Sequence, residues 1–227
     1  MDITHSVILV TSAGSPVSKS MSCHFAAQGA QLILADTNSE ALNEAYLLCK
    51  VLNENVHTVL LEDHSKASIK QLFTYIDSHF LNGVDVLINN WVGNELPGLL
   101  ENGSADMFSE RLTEVSAALF NYGKQAAKNM REHSKQGVIV NLAANSSDTN
   151  SGTLENTRAM LTGFTVSWAK ELTQFNIRVG GVTPSHHNST HSGVHPSDSR
   201  LHYELIRSTE YIVQNDYFNG RMIEAEI

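Results

Sequence analysis

Three consecutive stretches decide the fold: GVIVNLAAN (137–145), LENTRAMLTGFTVSWAKELTQF (154–175) and NIRVGGVTPS (176–185). In the first, Val138, Ile139, Val140, Asn141 and Leu142 show almost no polar alternation, as expected of a parallel strand covered on both faces. The second carries Leu154, Met160, Leu161, Phe164, Trp168 and Leu172 at helical spacing, with Lys170, Glu171 and Gln174 near its end. Ile177, Arg178 and Val179 then open another strand, which Pro184 closes. A right-handed crossover of this kind brings both strand ends to one edge of a sheet. Ligands of open α/β sheets bind at that edge, so chemistry is expected there.

Strand and helix patterns alternate through the rest of the chain. Strands are predicted at 6–11, 31–35, 56–61 and 84–89, with helices at 17–28, 40–52, 65–81 and 105–132 between and after them. Asn38 or Ser39 would cap the second helix, and Gly29 stops the first. A weaker helix is expected over 200–214 and a last strand within 216–224. This alternation argues a single α/β domain over residues 1–227, a doubly wound parallel β-sheet with helices on both faces.

The 227 residues suffice for one such domain, and 41% hydrophobic residues supply an ordinary core. A net charge of −9 argues against nucleic acid as a partner. No apolar run approaches the length of a membrane span, and the first strand follows the N-terminus too closely for a signal peptide. Cys23 and Cys49 lie in different helical patterns and are expected to form neither a disulfide framework nor a metal pair. A cytoplasmic protein with no membrane partner is the expectation.

WAKEL followed by IRVGGVTPS, together with the ending Asp216–Glu224, resembles the short-chain dehydrogenase/reductase family, in particular its 3-oxoacyl-acyl-carrier-protein reductase-like members. The resemblance implies a Rossmann fold, an NAD(P) cofactor and hydride transfer. The family's first turn reads T-G-x-x-x-G-x-G. Here Thr11 is followed by Ser12, Ala13, Gly14, Ser15, Pro16, Val17 and Ser18, so Ser12, Pro16 and Ser18 stand at the glycine positions and Gly14 at a variable one. Pro16 has no N–H to offer a phosphate. The resemblance places Asp36 at the ribose hydroxyls, favouring NAD, and Asp63 at the adenine amino group. Both also read as solvated loop carboxylates. Asn89 and Asn90 match N-N-A-G, but Trp91 replaces its alanine. An indole there either crowds the crevice or turns into the core or a partner.

The resemblance also locates the catalytic positions. The asparagine position falls on Ser116, the serine on Ala144, the tyrosine on Leu154 and the lysine on Arg158. Ser146, Ser147 or Ser151 are stand-ins for the serine, but no tyrosine occurs between Tyr122 and Tyr203. Leu154 has no titratable proton, and an arginine stays charged at neutral pH. Tyr46 and Lys50 match Y-x-x-x-K by chance on the second helix. The polar segment 185–199, a shortened lid in the family's terms, holds His186, His187, His191 and His195. Neighbouring cysteines or paired carboxylates that would make it a zinc site are missing, so no metal site is assigned.

The expected function is that of a degenerate family member lacking standard hydride transfer, with a scaffold, assembly or regulatory role and NAD as the cofactor, if any. The resemblance implies a homo-dimer or homo-tetramer, alone or with an active relative. The alternative is an active NAD(P)-dependent oxidoreductase on a small carbonyl or alcohol with an atypical proton donor. A third reading is a ligand or metal sensor built on the His-rich segment.

Overall fold

The structure, a computed structural model, describes residues 1–92, 96–100, 104–143, 151–185 and 198–226, with backbone alone at 151–154, 198 and 199. Seven strands form one parallel sheet: β1 (Val7–Thr11), β2 (Gln31–Asp36), β3 (Val56–Leu60), β4 (Val86–Trp91), β5 (Val138–Ala143), β6 (Arg178–Pro184) and β7 (Arg221–Ala225). Their spatial order is β3-β2-β1-β4-β5-β6-β7, all neighbours parallel. The chain winds outward from β1 to β3, then returns to place β4 on the other side of β1. The crevice between the C-terminal ends of β1 and β4 is therefore the topological switch point where ligands of such sheets bind.

Helices α1 (Pro16–Ala27), α2 (Ser39–Lys50), α3 (Lys66–His79), α4 (Ala105–Glu132), α5 (Ser151–Leu172) and α6 (Asp198–Gln214) cover the sheet. One apolar layer holds Phe25 of α1, Leu42 of α2 and Ile212 of α6 against Ile8, Leu32 and Val140. The other holds Ile69 of α3, Ala126 of α4 and Trp168 of α5 against Leu9, Leu87 and Ile139. Both faces of β1, β4 and β5 are thus buried, which explains their unalternating sequences.

Helix starts follow the local chemistry. Asn38 Oδ1 accepts the Glu40 and Ala41 amides, which settles the cap of α2 on Asn38. Ser15, Ser65 and Ser104 cap α1, α3 and α4 in the same manner. Helix α5 begins at Ser151, three residues ahead of the periodic apolar run, and ends in a 3-10 turn over Thr173–Phe175. The backbones of Ser151 and Leu154 are therefore helical, not part of a loop. Gly123 lets α4 and α5 meet closely: a Cβ there would lie 2.6 Å from Trp168 Cζ3.

Candidate functional site

At the switch point, β1 runs into the turn that starts α1. Ser12 adopts φ 48°, a left-handed conformation that a glycine takes without cost. Ser12 Oγ donates to the Asn90 carbonyl, tying the turn to the end of β4. Ser18 is completely buried, and its hydroxyl accepts from Asn90 Nδ2 at 2.8 Å. The volume left open by the family's third glycine is thus filled by a hydroxyl with a fixed partner.

The amides of this turn are largely committed. Ala13 donates to Ala35 O, Gly14 to Asp36 Oδ2, Ser15 to Ser12 O, Ser18 to Ser15 Oγ and Lys19 to Ser15 O. Pro16 has no amide hydrogen, which leaves Val17 at the head of the helix. A pyrophosphate needs several converging N–H groups at a helix N-terminus. These residues do not fit one in the manner of a glycine turn. Gly14, at a variable position of the motif, has a packing reason of its own: a Cβ there would lie 2.5 Å from Ala41 Cβ on α2.

The structure brings Asp36 to the same edge, at the C-terminus of β2. Its Oδ2 accepts from Gly14 N and its Oδ1 from Asn38 N, both at 2.8 Å. Asp63 lies after β3 and works as a turn and cap residue. Its Oδ1 accepts from Ser65 N and from Ser68 Oγ at 2.6 Å. These bonds to Ser65 and Ser68 hold its carboxyl down at about 2, well below the usual range.

Beside Asp63 the sequence reading missed a polar pair. His64 Nδ1 lies 3.1 Å from the Tyr122 hydroxyl, and its ring sits edge-on to Tyr122 and tilted to Trp91. Burial lowers the His64 pKa, with Asp36, Asp63 and Glu114 opposing it. Burial, aided by Asp36 and Asp63, pushes the Tyr122 phenol up. A general acid–base needs a pKa near the working pH. Tyr122 has moved the other way and serves as a fixed hydrogen-bond partner. Trp91 turns into the core: it is 5% exposed, in a cluster with Leu96, Val115, Leu119, Ala143 and Leu161.

Asn89 is fully buried and starts a polar ladder across the sheet. Its Nδ2 donates to Leu119 O on α4 and to Asn141 Oδ1 on β5, and Asn141 Nδ2 donates to Thr165 Oγ1 on α5. Through its Nδ2, Asn89 therefore ties α4 and β5 to β4. Register explains the ladder: Asn89 and Asn141 are directly paired across β4 and β5. The ordinary asparagines in two apolar runs were the signal that could have found it.

Ser116, expected at the family's asparagine position, bonds back to Thr113 O on its own helix. Its neighbour Val115 is the residue in the buried cluster. The helical phase, about 100° per residue, moves Ser116 off the sheet-facing side. Ala144, Ser146, Ser147 and the four histidines 186, 187, 191 and 195 lie outside the described residues. Leu154 is placed by its backbone in the first turn of α5. Arg158, one turn further on, is tied down: its Nη2 pairs with Glu224 on β7 and its Nη1 with Glu155 at 3.4 Å.

Polar capacity remains at this edge. Among the described residues, Asn89 Oδ1 and Asn90 Oδ1 on β4, Thr183 Oγ1 on β6 and Ser185 Oγ beyond it are buried without hydrogen-bond partners. Tyr46 and Lys50 sit on α2, where Lys50 donates to Glu54 O, remote from this crevice in the chain's architecture. Among the described residues no three His, Cys, Asp or Glu side chains gather as a metal-binding group, and no helix is long and apolar enough to cross a membrane. Cys23 and Cys49 are both free thiols, and packing of α1 on α2 brings their Sγ atoms to 3.8 Å.

Comparisons agree with this architecture. The chain is 27% identical over 190 residues to the 3-oxoacyl-(acyl-carrier-protein) reductase FabG of Thermotoga maritima, covering 81% of this chain and 75% of that protein. Among solved structures it is similar to a short-chain type dehydrogenase/reductase from Mycobacterium marinum, with TM-score 0.81 and 18% identity over 99% of this chain and 95% of the other. An NADH-dependent reductase complexed with NAD superposes with TM-score 0.80 and 20% identity, covering 100% and 96% of the two chains. Residues 6–198 match the model of the short chain dehydrogenase family, and the chain belongs to that family.

Proposed function

We propose that this protein keeps the short-chain dehydrogenase scaffold as a binding and assembly subunit and does not carry out the family's hydride transfer. The observation that supports this most is Arg158. At the position where the family's lysine is expected, a guanidinium is held by Glu224 and Glu155. Its charge is turned to two carboxylates, and a guanidinium is no proton relay at neutral pH. The residue expected to supply that phenol is Leu154.

The same reading covers the cofactor. Three replaced glycines and an internally bonded turn weaken the phosphate subsite, whereas Asp36 keeps a position suited to ribose hydroxyls. Any nucleotide bound is then NAD, held loosely. Assembly would use the outer face of α4 and α5, where Phe120, Gly123, Lys124 and Trp168 line a groove of about 390 Å³ and Phe120 is 45% exposed. The partner is a second copy, giving a homo-dimer or homo-tetramer, or an active relative. A cytoplasmic location fits the two free thiols.

A calorimetric titration with NAD(H) and NADP(H), paired with sedimentation of the protein alone, tests this reading. Binding weaker than micromolar, together with a sedimenting dimer or tetramer that Phe120→Asp dissociates, is expected. Tight, saturable binding by a monomer would favour the second reading, an oxidoreductase with an atypical donor, for which the Asp36 position speaks.

A further inference from the structure

We propose that Cys23 and Cys49 are a redox couple that closes into a disulfide between α1 and α2 by exchange with a small-molecule disulfide. The two sulfurs are 3.8 Å apart, against a bond length of about 2.05 Å. They are the only cysteines in the chain, so one intramolecular pairing exists. Cys23 is half-buried and reachable from solvent, whereas Cys49 is fully buried. The couple is thus asymmetric, with one thiol only partly covered and one fully buried beside it.

The asymmetry orders the chemistry. Burial pushes the Cys49 thiol up, so it is not the first nucleophile. Cys23, as thiolate, attacks one sulfur of the small disulfide, breaking its S–S bond; the expelled thiolate takes up the proton that Cys23 gave to solvent. Cys49 then loses its proton and attacks the Cys23 sulfur of the mixed disulfide. That step forms the Cys23–Cys49 bond and releases the second small thiol. Two protein thiols are oxidised and one small disulfide is reduced to two thiols.

The bond would act on the crevice described above. Helix α1 starts at the Ser12–Ser18 turn, and α2 starts where Ala41 packs on Gly14. A covalent tie between these helices, closing a span of 26 residues, fixes the two elements that frame Asp36. The reduced form leaves them joined by packing and by the Lys19–Glu44 ion pair at 2.6 Å.

The full-length protein is incubated with oxidised and reduced glutathione at stepped ratios, quenched by alkylation and weighed intact. Expected is loss of two hydrogens with both thiols disappearing together, reversal by dithiothreitol, and a thermal midpoint several degrees higher in the oxidised form. Cys49→Ser should trap glutathione on Cys23, and Cys23→Ser should take up neither glutathione nor a disulfide. A glutathione adduct that persists on the wild-type chain, disulfide-linked dimers, or two free thiols at every ratio would overturn the proposal.

Discussion

Replacing Asn141 by leucine removes the centre of the buried ladder while nearly conserving volume. The Asn141 side chain is fully buried, accepts from Asn89 Nδ2 at 3.2 Å and donates to Thr165 Oγ1 at 3.1 Å. Asn89 Nδ2 keeps its bond to Leu119 O, but the buried Thr165 hydroxyl loses the amide that donates to it. Two lost hydrogen bonds and one poorly solvated hydroxyl cost about 2–3 kcal/mol. With an m value of roughly 2.5 kcal/mol/M, the urea midpoint falls by about 1 M at unchanged slope. Thr165→Val alone should cost less. The double variant should be more stable than the sum of the two predicts, by about 1 kcal/mol, because the orphaned hydroxyl is then gone. An Asn141→Leu protein within about 0.5 kcal/mol of the parent, or strict additivity with Thr165→Val, would refute the ladder as a stabilising unit.

Other consequences are open to direct measurement. Gly123→Val drives a side chain into Trp168 and should cost about 1–3 kcal/mol in thermal or urea unfolding, whereas Ser116→Ala on the same helix should change little. Asp63, with its folded pKa held at about 2, adds stability that is complete above its unfolded value near 3.8 and lost as pH falls toward 2. Carbon-detected titration should find that midpoint, and Ser68→Ala should raise it. His64, whose pKa burial lowers, binds fewer protons folded than unfolded below pH 6.5. Its contribution is therefore present above 6.5 and declines as pH falls through its folded pKa; nitrogen shifts of the imidazole should show a neutral ring at pH 7.

The sheet and its helices were legible because burial on both faces leaves unalternating runs such as Val138–Leu142, and because α4, Ala105–Glu132, carries a cap and a long apolar period. What was not legible depended on rotation and neighbours. Ser116 lies one step around α4 from the buried Val115, a rotation that depends on how the helix is set against the sheet. Cys23 and Cys49 meet because of how α1 turns against α2, and no periodicity within either helix contains that angle. Trp91 had three readings, and Val115, Leu119, Ala143 and Leu161, from three other elements, enclose it in the core. Arg158 read as a lost lysine; that Glu224, 66 residues away, holds it was not visible in the chain.

The proposed loss of hydride transfer is open to measurement. Its most direct test is the absorbance of NADH and NADPH, followed with purified protein and a panel of small ketones, aldehydes and quinones. No oxidation above the protein-free rate is expected at any pH from 6 to 9, about the range over which such donors titrate. Carbonyl-dependent oxidation that scales with protein concentration and disappears in a His64→Phe or Arg158→Ala variant would contradict it.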